Sequence, residues 1–305
     1  MEHFSTDEKA RTYLESIRWP DGKPVCPHCG AKHPGGYIQS AEGSSTRPYL
    51  YHCAGCREQF TVTVGTIFEK SKIPLRKWLV AWYLLCASKK GMSAHQMYRQ
   101  LGLGSYRTAW FMMHRIRYAL SDPAFAGKLG GNGGTVEADE TWIGGKAKGK
   151  GRGYVDNKVP VVALVERNGD VRSMPVERVT GENLERILNA HVDKSATIMT
   201  DESMVYPTPC KAFAAHHTVN HKAGEYVRGN VTTNGVEGYF ANLKRGITGI
   251  YHHVGSQYLA QYLAEFDHRF NTRKGTDGAR TVAGLRKIEG KRLMLRAPAR
   301  AASAP

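Results

Sequence analysis

The chain has 305 residues, 41% of them hydrophobic, a formal net charge of +16 and an isoelectric point near 9.6. No apolar run approaches the length of a membrane span, and the polar opening MEHFSTDEKAR lacks a signal-peptide pattern, so the expectation is a soluble cytoplasmic protein. The length allows one large domain or roughly two to three small ones, and the positive charge points to a polyanionic partner, nucleic acid before a membrane surface.

Residues 1–64 are expected to hold a short amphipathic helix followed by a zinc ribbon. Tyr13, Leu14 and Ile17 mark the apolar side of the helix. Cys26 and Cys29 form one Cys-x-x-Cys knuckle, and Cys53 and Cys56 form a second, with 23 residues between the two. Each knuckle offers two thiolates to half of a tetrahedral zinc site, and Tyr49, Leu50, Tyr51, Phe60, Val62 and Val64 supply flanking strands. The competing reading is a pair of disulfides or redox motifs; the missing secretory signal and thioredoxin pattern count against it. Cys86 and Cys210 fall outside the knuckles and read as buried apolar residues.

Residues 65–122 change character. Between 65 and 120 lie ten Lys or Arg (among them Arg107, Arg115 and Arg117) and one acid, Glu69, a balance of +9. Helical periodicity, Ser93 and Ser105 as N-caps, and breaks at Gly91, Gly102 and Gly104 predict a helix-turn-helix-like DNA-binding domain. An ordinary three-helix bundle with solvated charges is the alternative, but such faces usually mix signs.

Residues 123–134 read as a linker and residues 135–275 as an α/β domain. Asp139 and Asp201 each end a strand-like run. Between them come a hairpin signal at Asn168-Gly169 and a helix capped by Thr180. Further on, Val236, Tyr239, Phe240 and Leu243 give a helix that carries Glu237 and, two turns later, Lys244. Alone, that acid and base make only a solvated pair. The order strand, hairpin, helix, strand and final helix resembles a ribonuclease H-like fold, in which the first and fourth strands end side by side. Two aspartates and a glutamate brought together can hold two divalent cations. Between strands, the glycine-rich loop with Lys146, Lys148, Lys150 and Arg152 is expected to order against a DNA backbone. Residues 276–305 read as a basic tail.

These residues also carry a specific resemblance. CPHCG with HCAGC, VEADETWIGGK, TDES, VNHKAGEYVRG, NGVEGYFANLKRGITGIYHHV and EFDHRFNTR occur in one order over residues 20–290. The chain resembles the ISXO2-like transposase family of bacterial insertion sequences, which joins a zinc ribbon and a basic helical region to a DDE ribonuclease H-like domain. The 35 residues between Asp201 and Glu237 match the spacing of DDE transposases and retroviral integrases. The resemblance implies an enzyme that binds element ends and joins them to target DNA, with double-stranded DNA as partner and a dimer or higher oligomer on DNA. It implies Asp139, Asp201 and Glu237 as ligands of two Mg²⁺ (or Mn²⁺), one structural Zn²⁺ on the four cysteines, and Lys244 on a phosphate. The Tyr and Arg that some DDE families place before the glutamate are here Asn230 and Thr233, whereas Asn234 fits the family's Asn-x-x-Glu and reads as a helix cap. Glu140, Glu202 and Glu225 are rival ligands; alternation along a strand lets only one of each adjacent pair reach the site. Two other functions fit parts of the chain: a DNA-binding regulator with an inert C-terminal half, and a nuclease of the same fold.

Overall fold

The computed structural model describes residues 4–32, 37–38, 49–121, 127–145, 155 and 157–293. The chain divides into two compact units, one of residues 1–87, 94–120 and 276–305, the other of residues 88–93 and 121–275. Among the described residues no helix is long and apolar enough to cross a membrane.

In the first unit, α1 (Asp7–Arg18) starts at Thr6, whose hydroxyl accepts the Lys9 N–H, and it buries Ala10 and Leu14. The strands β1 (Tyr37–Ile38), β2 (Leu50–His52) and β3 (Gln59–Phe60) form an antiparallel sheet in that order, and Tyr51 stacks on Phe60 at 5.3 Å. These strands are shorter than the apolar residues suggest. Tyr49 takes φ +62, a turn conformation, and the chain turns again after Thr61. The helices α2 (Leu75–Ala87), α3 (Ala94–Leu101) and α4 (Tyr106–Leu120) follow. Trp78, Leu79, Trp82 and Leu85 of α2 supply much of this unit's core. At the expected cap, Ser105 Oγ accepts the Thr108 N–H at 3.1 Å and opens α4.

The second unit is built on a five-stranded mixed sheet. It contains β4 (Thr135–Ile143), β5 (Val159–Glu166), β6 (Val171–Pro175), β7 (Thr197–Thr200) and β8 (Ala215–Thr218), in the order β6-β5-β4-β7-β8. The first three pair antiparallel, while β4, β7 and β8 run parallel. The β5–β6 turn falls at the predicted place, with Asn168 at φ +63. Between β6 and β8 come α5 (Gly181–His191), capped by Thr180, and the short α6 (Pro207–Cys210). The small hairpin β9 (Val227–Arg228) and β10 (Val231–Thr232) then leads into α7 (Asn234–Gly246), and α8 (Leu259–Asn271) follows.

Strand alternation divides this unit into two cores. Val136, Ala138, Val162 and Leu164 face α5 and α6, with Leu184, Ile187, Leu188 and Tyr206. On the other face Val161, Ala163 and Val165 meet Val236, Tyr239, Phe240 and Leu243 of α7 and Leu263 and Phe266 of α8. The arrangement is the ribonuclease H-like α/β fold that the element order predicts.

The chain then returns to the first unit. Where sequence suggests a basic tail from residue 276, α9 (Asp277–Leu285) forms on its Thr276 cap and packs against α2. Arg18 pairs with Glu289 at 2.7 Å and Arg292 with Glu69 at 3.3 Å, so charged partners offset the basic composition of this segment. Residues 294–305 lie outside the described residues.

Candidate active site and zinc centre

Parallel pairing of β4 with β7 puts Val136 opposite Ile198 and Glu137 opposite Met199. Carried two residues on, that register sets Asp139 beside Asp201. Asp139 lies on the α7 face of β4 because it alternates with Ala138, which faces α5. Burial pushes its carboxyl up to about 7; the Glu140 N–H opposes this, and the negative charges of Glu140, Asp201 and Glu237 add to it. Asp201 and Glu237 thus lie near enough for their charges to bear on Asp139.

Glu237 owes its place to a residue that the motif reading passes over. Glu137, 3% exposed, sits two residues before Asp139 on the same face of β4. Its Oε2 accepts the N–H groups of Gly235 at 2.7 Å and Val236 at 3.1 Å, so the carboxylate caps α7 from across the fold. Its Oε1 takes Arg167 at 3.0 Å, and Arg167 also donates to the Asn230 carbonyl at 2.9 Å, tying down the β9–β10 hairpin. A Cβ on Gly235 would stand 2.7 Å from Glu137 Oε2, so the approach needs glycine. Asn234, expected to cap α7, is instead its exposed first residue, and Thr233 at the N-cap makes no side-chain cap bond. Thr233 donates to Glu237 Oε1 at 2.9 Å, and His221 Nε2 lies 3.3 Å from the same oxygen.

The rival acids have other partners. Glu140 points to the α5 side, where it accepts the Tyr206 hydroxyl at 2.5 Å. Glu202 Oε2 accepts the His221 N–H at 2.9 Å, and Glu225 pairs with Arg228 at 3.4 Å. Asp139 and Asp201 each commit Oδ1 to a backbone N–H, from Glu140 at 2.7 Å and Ser203 at 3.0 Å. An oxygen-only, anionic donor set of this kind suits a hard divalent cation, which would offset the burial and the neighbouring negative charges that raise Asp139.

The cysteine site is tighter. Among the described residues, Cys26, Cys29, Cys53 and Cys56 are the only group of three or more His, Cys, Asp or Glu whose ligand atoms all lie within 4.8 Å of one another. Cys26 and Cys56 Sγ are 3.7 Å apart, and Cys29 and Cys53 Sγ 3.6 Å, close to the ~3.8 Å edge of a tetrahedron with Zn–S bonds of about 2.3 Å. All four thiols are free, which excludes the disulfide reading. The Cys56 N–H helps lower the Cys53 thiol to about 7, favouring the thiolate that binds metal. Cys86 and Cys210 are buried, as their position outside the knuckles suggested.

The expected DNA contacts fare unevenly. Lys244 is exposed on α7 two turns after Glu237, and Arg107 is exposed in the first turn of α4. Arg115 and Arg117 are corrections: they are 7% and 1% exposed, inside the first unit. Arg115 lies over the Trp78 ring at 5.1 Å and donates to the Glu69 carbonyl at 3.1 Å, while burial lowers it to about 10. From Met112 to Arg117 every residue of α4 is buried, so both arginines are enclosed although they lie two apart and point different ways, and His95, Gln96, Arg99 and Gln100 of α3 are exposed instead. Lys146, Lys148, Lys150 and Arg152 lie outside the described residues.

Comparison with known proteins finds matches to both the ribbon and the ribonuclease H-like unit. Residues 130–271 match the ISXO2-like transposase domain and residues 5–59 the transposase zinc-ribbon domain. A protein from Halobacterium salinarum, described as an uncharacterized protein in transposable element ISH50, is 30% identical over 284 residues, 87% of this chain and 91% of the relative. Because that relative is archaeal, the similarity extends beyond the bacterial elements that the motifs suggest. With a zinc ribbon, a ribonuclease H-like domain and a near full-length relative in a transposable element, the chain belongs to the ISXO2-like transposase family.

Proposed function

We propose that this chain binds the ends of its own insertion sequence and catalyses metal-dependent DNA strand cleavage and strand transfer. One observation carries the reading: the charges of Asp201, just past the end of β7, and of Glu237 on α7 bear on a half-buried Asp139 midway along β4, within a transposase-family domain. Asp139, Asp201 and Glu237 would hold two Mg²⁺ or Mn²⁺ ions, and the four cysteines one Zn²⁺. Bound there, the divalent ions supply Lewis-acid activation of the attacking and leaving oxygens in an in-line displacement.

The remaining work falls to the chain's own residues. Glu137 and Arg167 fix the start of α7, so that Glu237 enters the site from a rigid helix end. Lys244 holds a DNA phosphate from the same helix, and Lys146, Lys148, Lys150 and Arg152 contact the backbone without reading sequence. Arg107 and the exposed residues of α3 contribute to recognition of the element end, which two copies of the chain bring together.

The test is a reaction of the full chain with Mg²⁺ and DNA carrying the ends of its own element. Free 3′-hydroxyl ends and joined products are expected. Asp139→Ala, Asp201→Ala and Glu237→Ala should each reduce cleavage at least about a thousandfold, ~4 kcal/mol of barrier, while DNA binding persists. A variant that cleaves normally removes its residue from the set.

A further inference from the structure

Among the described residues only five large apolar side chains are exposed, and three of them are Met204, in the loop after Asp201, and Tyr226 and Val227, at the start of β9 on the segment whose His221 meets Glu237. Met204 follows Asp201 by three positions. Tyr226 and Val227 sit on the segment that His221 opens, and Glu202 joins the two loops by accepting the His221 N–H at 2.9 Å. Tyr226, 58% exposed, stacks on the His221 ring with centroids 5.1 Å apart and planes 27° from parallel. The other end of that stack is fixed, because His221 Nε2 is 3.3 Å from Glu237 Oε1.

The segment is held in shape. Asn220 Oδ1 accepts the Ala223 N–H at 3.1 Å, the Asn220 carbonyl accepts the Glu225 N–H at 2.9 Å, and Gly224 turns the chain at φ +77. Arg228 donates to the Thr218 carbonyl at 2.8 Å, and β9 pairs with β10. Little ordering entropy is therefore left to lose when a flat ligand covers the ring. The side chains of Lys222, 87% exposed, and Arg228, 60% exposed, stand on either side in sequence and offer charge to phosphates.

We propose that the open face of Tyr226, backed by His221, is a stacking platform for an unpaired nucleobase of the DNA strand that the carboxylates act on. The platform rests on the transposase reading of that site. Aromatic side chains bind bases through their π-faces whatever the sequence, and phosphate-directed cations beside them hold the strand. A base lifted from the duplex onto Tyr226 brings its adjoining phosphate toward Glu237 and keeps the neighbouring step open.

The test uses the full chain without divalent metal, so that binding is read apart from cleavage. A single-stranded thymidine oligonucleotide carrying one 5-iododeoxyuridine is irradiated on the protein, and the cross-linked residue is located by mass spectrometry. Cross-linking at Tyr226 is expected. Tyr226→Ala should weaken binding of the thymidine strand about tenfold, the loss of one base–aromatic stack, while Tyr226→Phe binds as the parent does. An abasic strand of equal length gives the phosphate-only baseline and should be insensitive to either change. Cross-links confined to other residues, or equal binding of the thymidine strand by Tyr226→Ala, overturn the platform. Asp139→Asn separates the two ideas: it should cross-link normally and fail to cleave, whereas normal cleavage by Asp139→Asn defeats the transposase reading and leaves the cross-link to decide the platform.

Discussion

The zinc-ribbon cysteines and the proposed carboxylate site are assembled in different ways. In the ribbon, each ligand pair comes from one short turn, and all four sulfurs already lie within 4.8 Å of one another. In the ribonuclease H-like unit, the proposed ligands come from β4, the end of β7 and a helix, and Glu237 is engaged by Thr233 and His221. Short-range spacing makes a metal-ready cage, whereas a site assembled over long sequence separations depends on the parts that aim it. Glu137 is the clearest of those parts, because it holds no ligand position yet fixes the helix that does.

The contrast predicts effects of different kind and size. Cys26→Ser or Cys53→Ser should give the largest, because small zinc sites draw on the order of 10 kcal/mol of folding free energy from the metal. Elemental analysis should find one zinc per parent chain and less in the variant, with loss of ordered ribbon resonances; a folded, zinc-free ribbon would erase the contrast. Glu137→Ala leaves Arg167 and the first N–H groups of α7 without their carboxylate. It should cost about 2–3 kcal/mol in chemical denaturation, below the range for fully buried pairs because Arg167 is partly exposed. Glu137→Gln, which keeps an acceptor for the helix, should recover part of that loss, and Gly235→Ala should resemble Glu137→Ala because its Cβ displaces the same oxygen. Smallest is Arg107→Ala, outside both centres, with a few-fold weaker DNA affinity and a salt slope lower by about 1. Arg115→Ala should instead lower stability by about 1–2 kcal/mol and leave the salt slope unchanged, because this arginine packs on Trp78.

How far the sequence reveals each centre follows from the same distinction. Two Cys-x-x-Cys knuckles announce their ligands through local spacing, and motif marks Asp139, Asp201 and Glu237, although β4 continues to Ile143 and so leaves Asp139 midway along the strand that the sequence suggests it ends. Glu137 was legible in part: it alternates with Asp139, and an acid on the packed side of a strand needs a partner. Which partner it has depends on α7 crossing that face some hundred residues later, which no local pattern encodes. The arginines of α4 failed for a related reason. Composition gives the charge of a segment, while only packing decides that Arg107 faces water and Arg115 faces Trp78. Likewise, α9 depends on α2 for its packing, and the composition of residues 276–305 as a whole gives only a basic tail.

The central claim, that Asp139, Asp201 and Glu237 share a divalent-cation site, is tested most directly by loading the full chain with Fe²⁺ and generating hydroxyl radicals at the bound iron. Backbone cuts should cluster near residues 139, 201 and 237, compete away with Mg²⁺, and vanish in Asp139→Ala while any cuts near the cysteines persist. Cuts absent from those three positions, or unchanged in Asp139→Ala, would contradict the account.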